Sequence, residues 1–121
     1  MTSPYIYNCK VVRVVDGDTI DIDIDLGFSV ILSKQRVRLA GIDTPESRTR
    51  NLAEKALGLE AKKRLIELCG DTVMLKSLGR GKFGRILGIP INAEGRDICQ
   101  ILIKEGHAIE YWGGKKKHIW A

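Results

Sequence analysis

The segment from residue 19 to residue 26 alternates strictly between apolar and acidic side chains. The apolar positions are Ile20, Ile22, Ile24 and Leu26, and the acidic positions are Asp21, Asp23 and Asp25. A period of two predicts a β-strand with one face buried and the other in water. The three acidic residues then keep an exposed face soluble. Asp18 shares the parity of the apolar face, so we expect its carboxylate to be paired, hydrogen-bonded or bound to a metal.

Further strands are predicted along most of the chain. Runs of β-branched and aromatic residues place them at 5–15, at 28–32 continuing through 35–42, at 72–78, at 86–91 with Pro90 near the end, and at 108–112. Turns are predicted at 79–82, which is basic and rich in glycine, and at 92–95. Strands therefore dominate the expected fold.

Two helices complete the prediction. Residues 47–56 are polar and are predicted as a loop, although Asn51 followed by Glu54 has the spacing of a capping box. An apolar stripe then predicts a helix from 57 to 68, closed by Gly70. The stripe consists of Leu57, Ala61, Leu65 and Leu68, joined by Ile66 and Cys69. Asp97 is expected to cap a second helix, which ends at Gly106. This order suits an α+β, mainly β domain whose strands curl into a small barrel.

The charge of the chain favours a polyanionic partner. Its 121 residues are enough for one domain, and 20 Lys and Arg against 15 Asp and Glu leave a net charge of +5. An excess of this size favours nucleic acid, although a solvated basic surface explains it equally well.

The cysteines and the N-terminus bear on location. Cys9, Cys69 and Cys99 are odd in number and have no metal-ligand spacing, so we expect reduced thiols and a reducing compartment. The first residues lack the basic and apolar regions of a signal peptide, and no apolar run approaches the roughly 20 residues of a membrane span. We expect a cytoplasmic or intracellular protein without membrane contact, or a secreted one if a leader was removed.

Two acidic turns and one basic turn contain the candidate catalytic and metal-binding residues. The strand residues that include Arg38 lead into Asp43-Thr44-Pro45-Glu46, where Pro45 stiffens the backbone and favours an extended Thr44. Asp16-Gly17-Asp18-Thr19 is the second acidic turn, and Lys82-Phe83-Gly84-Arg85 is the basic one. Carboxylates for a hard cation and arginines for a phosphate are the components of a metal-dependent phosphodiesterase. Alternation alone does not predict that Arg38 and Asp43 converge, although a bulge at Gly41 would allow it.

In this order, the motifs resemble those of the thermonuclease, or staphylococcal nuclease-like, family. The resemblance covers roughly residues 9 to 112, and the combination is specific although each motif alone is weak. It implies a five-stranded OB-type Greek-key barrel with two helices packed on it. It places the nuclease-like domain at 1–112 and leaves 113–121 as a basic C-terminal tail.

The resemblance also implies an activity and a set of site residues. The expected activity is calcium-dependent hydrolysis of DNA and RNA to 3′-phosphate ends, by a monomer that prefers single-stranded or denatured substrate. The Ca²⁺ ligands would be the Asp18 and Asp43 carboxylates and the Thr44 carbonyl. Glu46 matches the general base, and Arg38 and Arg85 match the arginines on the scissile phosphate.

Supporting residues follow from the same resemblance. Asp16 would steady the neighbouring ligand. Lys82 and Phe83 match substrate-binding positions, with Phe83 in place of the family's frequent tyrosine. Tyr111 or Trp112 would stack on a base, although packing in the core explains both aromatic residues equally well.

Several departures and alternatives accompany the resemblance. The hairpin between Asp18 and Arg38 is longer than in the secreted relatives, and we expect no counterpart of their C-terminal helix in this sequence. Taken singly, each acidic residue is an ordinary turn residue and each arginine a surface ion pair of little energetic value. The same barrel also serves as a non-catalytic module that binds nucleic acid or protein. The complete set of carboxylates and arginines favours the enzyme.

Overall fold

Seven strands and two helices form the described part of the chain. The computed structural model describes residues 5–80 and 84–112, so Lys82, Phe83 and the predicted tail at 113–121 lie outside it. The elements in chain order are β1 (Tyr5–Asp16), β2 (Thr19–Asp25), β3 (Ile31–Leu39), β4 (Ile42–Asp43), α1 (Leu52–Cys69), β5 (Thr72–Arg80), β6 (Ile86–Ile91), α2 (Ile98–Lys104) and β7 (Ile109–Glu110).

The longer strands close into a five-stranded barrel in the order β1-β2-β3-β6-β5. The pairing of β3 with β6 is parallel, and the other pairs, including the closing pair of β1 with β5, are antiparallel. The short strands β4 and β7 form a separate antiparallel pair. Closure removes the free edges of the sheet. The prediction of an OB-type α+β barrel with two helices is confirmed.

The residues of β2 alternate between the core and the outer surface, as predicted. Its isoleucines lie in the core, while Asp21 lies outside between Arg13 at 3.3 Å and Arg36 at 2.9 Å. The hydrogen bond from Arg36 is the main reason that the pKa of Asp21 is lowered. Asp23 and Asp25 accept backbone N–H groups from Lys34 and Gly27, at 2.8 Å each. These acidic residues therefore stabilise the β2–β3 hairpin.

The first helix begins earlier than predicted, so the expected loop over 47–56 is wrong from Leu52 onward. Asn51 is the N-cap, and its Oδ1 atom accepts a hydrogen bond from the backbone N–H of Glu54 at 3.1 Å. The first turns lack an apolar stripe because they face a polar loop instead of the core. Gly70 ends the helix as predicted, with a positive φ of 60°.

The buried face of α1 also differs in part from the predicted stripe. Ala61, Leu65 and Cys69 are buried as expected, but Leu57 and Ile66 are exposed. Gly58 takes the place of Leu57 on the buried face. The predicted stripe was shifted because a glycine carries no apolar signal, even where it marks the closest packing.

The second helix agrees with the prediction and contacts the first. Asp97 is its N-cap and accepts from the backbone N–H of Gln100 at 3.1 Å. Near its end, Glu105 accepts hydrogen bonds from Arg64 Nε at 2.6 Å and Nη2 at 2.8 Å. This bidentate pair lowers the pKa of Glu105 and joins α2 to α1. Ile98 and Leu102 complete the core.

Several strand ends differ from their predicted positions. Phe28 and Ser29 have positive φ angles of 54° and 64°, so they form a tight turn and β3 begins only at Ile31. The strand β5 runs through the predicted turn at 79–80. By contrast, β6 has the predicted bounds, with Pro90 next to its last residue. The predicted strand at 108–112 is reduced to Ile109–Glu110.

All three cysteines are free and buried, as expected for reduced thiols. Burial raises the pKa of Cys9 to about 11 and that of Cys69 to about 12, so both thiols stay protonated at neutral pH. The reducing compartment stays a prediction. Within residues 5–80 and 84–112, no helix combines the length and hydrophobicity that a membrane crossing requires.

Candidate active site

A cleft of about 610 Å³ opens where the β1–β2 turn, the end of β3, the residues after β4 and the start of β6 meet. Its lining includes every predicted site residue of the described part: Asp16, Asp18, Arg38, Asp43, Thr44, Glu46, Arg85, Tyr111 and Trp112. Lys82 and Phe83 lie outside the described residues. A second cavity, of about 670 Å³, lies between β1, β5 and the turn at 92–95, and contains none of these residues. Of these two cavities, only the first is therefore lined by the predicted site residues of the described part.

The parallel pairing of β3 with β6 brings the two arginines to one side of the barrel. Val37 pairs with Ile86, and Arg38 pairs with Leu87. Because Val37 and Ile86 point into the core, alternation turns Arg38 outward. By the same alternation Arg85, which immediately precedes β6, lies on the outward side with Leu87. Both arginines line the cleft.

Arg38 is held in place by the backbone around it. Its Nη1 atom donates to the Leu39 carbonyl and its Nη2 atom to the Ile42 carbonyl, both at 2.8 Å. Gly41, with a φ of 76°, permits the turn that brings these carbonyls together. A guanidinium has five N–H donors, so some remain for a ligand.

The two predicted carboxylate ligands meet at the same arginine. Arg38 Nη2 lies 3.4 Å from Asp18 Oδ2 and 3.8 Å from Asp43 Oδ1. Asp18 also accepts from the Thr19 hydroxyl at 3.0 Å, and its carbonyl accepts from the Leu39 N–H at 2.8 Å. The convergence of Arg38 with Asp43, which alternation left open, therefore occurs through the turn at Gly41.

The β1–β2 turn is seated between α1 and the residues after β4. Asp16 Oδ1 accepts the Gly17 N–H at 3.0 Å. A Cβ atom on Gly17 would lie 2.9 Å from both the Ala61 Cβ and the Thr44 Oγ1 atoms. Asp16 thus stabilises the turn that holds Asp18, and the turn itself contacts Thr44.

The oxygen donors at this site fit a hard cation. Asp43 and Thr44 are only 4% and 3% exposed, and the hydroxyl of Thr44 has no hydrogen-bond partner among residues 5–80 and 84–112. In the same part of the chain, no three His, Cys, Asp or Glu side chains form a group that could hold a metal. Two carboxylates with a carbonyl and waters form an all-oxygen set that Ca²⁺ accepts.

Arg85 has an unused donor in the cleft. Its side chain is half-buried, and its Nε atom is buried without a hydrogen-bond partner in the described part of the chain. A buried N–H without a partner costs free energy, which a bound anionic oxygen would recover. This is the polar atom that most directly indicates a ligand.

Trp112 and Tyr111 cover one side of the cleft. Tyr111 donates its backbone N–H to the Gly41 carbonyl at 2.8 Å, which extends the pairing of β4 with β7. The Trp112 indole lies against Gly41, and its Nε1 atom donates to Glu110 at 3.2 Å. Trp112 is 68% exposed, so it does not pack in the core.

Replacing Gly41 with alanine should destabilise the fold by about 1–3 kcal/mol or more. The left-handed conformation at φ 76° disfavours a side chain, and the new Cβ would lie 2.5 Å from Trp112 Cζ2. Denaturant unfolding measures the loss. Gly27→Ala is the matched control, because Gly27 has a φ of 82° and no atom within 4 Å of an added Cβ. An equal loss in the two variants would contradict the role of the Trp112 contact.

Sequence reasoning missed the residues that hold Glu46. The Glu46 side chain is exposed in the cleft, while its backbone N–H donates to Glu54 Oε2 at 3.0 Å. A Cβ on Gly58 would lie 2.5 Å from the Glu46 carbonyl carbon. The spacing of Asn51 and Glu54 was interpreted only as a helix start, so the contact to Glu46 had no separate signal.

Several known nucleases are similar in sequence to this chain. The chain spans 57% of the micrococcal nuclease of Shigella flexneri, which is 35% identical to it over 113 residues, or 84% of the chain. An uncharacterized endonuclease of Escherichia coli is 33% identical over 102 residues, covering 84% of the chain and 60% of the relative. Endonuclease YncB of Bacillus subtilis is 32% identical over 107 residues, covering 84% and 46%. The chain thus spans about half the length of these relatives.

The fold is an OB-type barrel, and its cleft contains Asp18 and Asp43 beside Arg38, together with Arg85. The pattern of the family described as staphylococcal nuclease homologue matches residues 36–119. The chain belongs to this family. The matched segment contains Arg38, Asp43, Glu46 and Arg85, whereas Asp18 precedes it.

Proposed function

We propose that this chain is a calcium-dependent nuclease that hydrolyses DNA and RNA and leaves 3′-phosphate ends. The observation that carries the proposal is the convergence of Asp18 and Asp43 on Arg38 in the cleft that also contains Glu46 and Arg85. Membership of the family and the endonuclease names of its relatives support the same reaction class.

Asp18, Asp43 and the Thr44 carbonyl would hold the cation. Bound Ca²⁺ would supply positive charge beside the phosphate, which a phosphodiester needs as negative charge builds up during attack. The pair of carboxylates already lies beside Arg38, so the local charge is balanced in part by the protein itself. Mg²⁺ should support little activity, because its strict octahedral geometry suits two carboxylates and a carbonyl poorly.

Glu46 is the proposed general base. Its carboxylate is exposed in the cleft, where it can accept a proton from a water molecule. The water oxygen then bonds to phosphorus, and the bond from phosphorus to the 5′ oxygen breaks. The leaving oxygen takes up a proton from solvent, and the phosphate stays on the 3′ oxygen.

Arg38 and Arg85 would stabilise the phosphate oxygens. Arg38 is already oriented by the Leu39 and Ile42 carbonyls, so little reorganisation is needed when charge develops. Arg85 brings the buried Nε donor described above. The exposed Trp112 ring offers a surface for stacking on an unpaired base, which favours single-stranded or denatured substrate. We propose that the protein acts as a monomer.

A non-catalytic nucleic-acid-binding module is the second candidate. The observation that favours it is the position of Arg38, whose Nη2 atom lies within 3.8 Å of both carboxylates. In a module of this kind the guanidinium would balance the two acids permanently and no metal would be required. The basic charge of the chain would then serve binding alone.

Incubation with denatured DNA and with RNA separates the two candidates. We expect cleavage with Ca²⁺ and little with a chelator or with Mg²⁺ alone, and labelled oligonucleotides should show new 3′-phosphate ends. Arg85→Ala, purified in parallel, controls for contaminating nucleases. Binding of the nucleic acid without calcium-dependent cleavage would reject the enzyme and support the module.

A further inference from the structure

The backbone of Glu46 rests on the first turns of α1. Its N–H donates to Glu54 Oε2 at 3.0 Å. A Cβ on Gly58 would lie 2.5 Å from both the carbonyl carbon and oxygen of Glu46, and 2.6 Å from the Ser47 nitrogen. Glu54 and Gly58 are one helical turn apart, so they share a face. We call these two residues the α1 ledge.

Glu54 is available for this contact because of the way the helix begins. In an ordinary capping box, a glutamate at this position accepts the N–H of the N-cap residue. Here Thr49 Oγ1 accepts the Asn51 N–H at 3.2 Å, so that donor is already satisfied. The Glu54 carboxylate reaches back to Glu46 instead.

Gly58 removes the side chain that would otherwise separate the helix from the loop. A glycine inside a helix is unfavourable, and here it permits close contact with the Glu46–Ser47 backbone. The same side of the helix continues to Ala61, which contacts the turn at Gly17. One helix face therefore supports both acidic turns of the cleft.

We propose that the α1 ledge positions the Glu46 carboxylate, and that Glu54 and Gly58 are positioning residues of the site. The inference rests on the proposed role of Glu46 as general base. The Glu46 side chain is exposed. The position of the backbone that carries it is therefore determined by the contacts to Glu54 and Gly58. A misplacement of about 1 Å can lower a rate by about 10²-fold.

If the α1 ledge positions Glu46, substitutions in the ledge should slow only the chemical step. Glu54→Ala should lower kcat by at least about tenfold and leave KM within about twofold, because Arg38, Asp18 and Asp43 make their contacts elsewhere. Glu54→Gln retains a side-chain oxygen that accepts the Glu46 N–H, so its kcat should stay within about threefold of the parent. Gly58→Ala should lower kcat at least as much as Glu54→Ala.

Two control variants separate positioning from helix stability. Asn51→Ala removes the cap of α1 but leaves the Glu54 side chain, so kcat should stay near the parental value at a temperature where the fold is intact. Glu60→Ala removes an exposed acid from the same helix. A Glu54→Ala variant with parental kcat, or an equal loss of kcat in Asn51→Ala, would overturn the proposal.

A second measurement does not depend on activity. Hydrogen exchange of the Glu46 amide, followed by NMR on the metal-free protein, should be several-fold faster in Glu54→Ala than in the parent or in Glu54→Gln. Unchanged exchange would reject the ledge, including in the case where Gly58→Ala does not fold. If the parent itself cleaves no nucleic acid, the proposed function fails, while this exchange measurement still decides whether Glu54 holds Glu46.

Discussion

Replacing Arg85 with alanine is expected to lower kcat for cleavage of denatured DNA by about 10²–10³, with little loss of fold. Arg85 lies just before β6, half-buried in the cleft, and its Nε donor is unused in the described part of the chain. Its removal should therefore leave few groups of the resting protein unsatisfied. The loss should appear when the phosphate gains charge, because a guanidinium matches that charge with two parallel donors.

Single-turnover kinetics on a labelled oligonucleotide measures this effect, and thermal unfolding measures the fold. Arg85→Lys keeps the charge without the planar fork, so its rate should lie between those of the parent and the alanine variant. Arg13→Ala is a matched control, because Arg13 pairs with Asp21 on the outer surface, away from the cleft. An Arg85→Ala rate within a few-fold of the parent would reject the proposed role.

Glu46→Gln is expected to slow hydrolysis by about 10²–10⁴ while Ca²⁺ affinity stays close to that of the parent. Glutamine keeps the size and polarity of the side chain but cannot accept a proton from water at neutral pH. The Glu46 N–H is a backbone group, so its hydrogen bond to Glu54 should survive the substitution. The effect should therefore fall on proton transfer alone.

Calorimetric titration with Ca²⁺, run beside the kinetic assay, separates the two possible roles of Glu46. Asp43→Asn provides the opposite case: Asp43 is a proposed ligand, so this variant should lose Ca²⁺ affinity together with activity. A collapse of Ca²⁺ affinity in Glu46→Gln would instead make Glu46 a primary ligand and contradict its assignment as the base.

The local sequence pattern was sufficient to predict those elements whose buried faces or ends depend only on their own residues. The alternation of β2 predicted both the strand and its buried isoleucines, because a period of two is a property of the strand alone. Asp97 predicted the start of α2 for a similar reason, since an N-cap contacts only its own first turn. The start of α1 was wrong by several residues because its first turns contact the Glu46 loop, which periodicity does not detect.

The arrangement of the cleft residues also depended on contacts that a short sequence segment does not contain. The convergence of Arg38 with Asp43 required the left-handed conformation at Gly41 and the carbonyls that fix the guanidinium. Alternation left this question open because a single positive φ redirects every side chain that follows. Trp112 is exposed over Gly41, whereas at the level of sequence the resemblance implied stacking and core packing explained the residue equally well.

The sequence by itself determined which chemical groups are present and which strand faces are buried. Carboxylates, arginines and the alternation around them follow directly from the order of residues, because they involve near neighbours only. The tertiary structure alone decided that these groups share one cleft. Residues that are distant along the chain are joined in three ways. The barrel closes, β3 pairs in parallel with β6, and the backbone of Glu46 contacts α1. Such contacts depend on the packing of whole elements, and short segments contain no record of it.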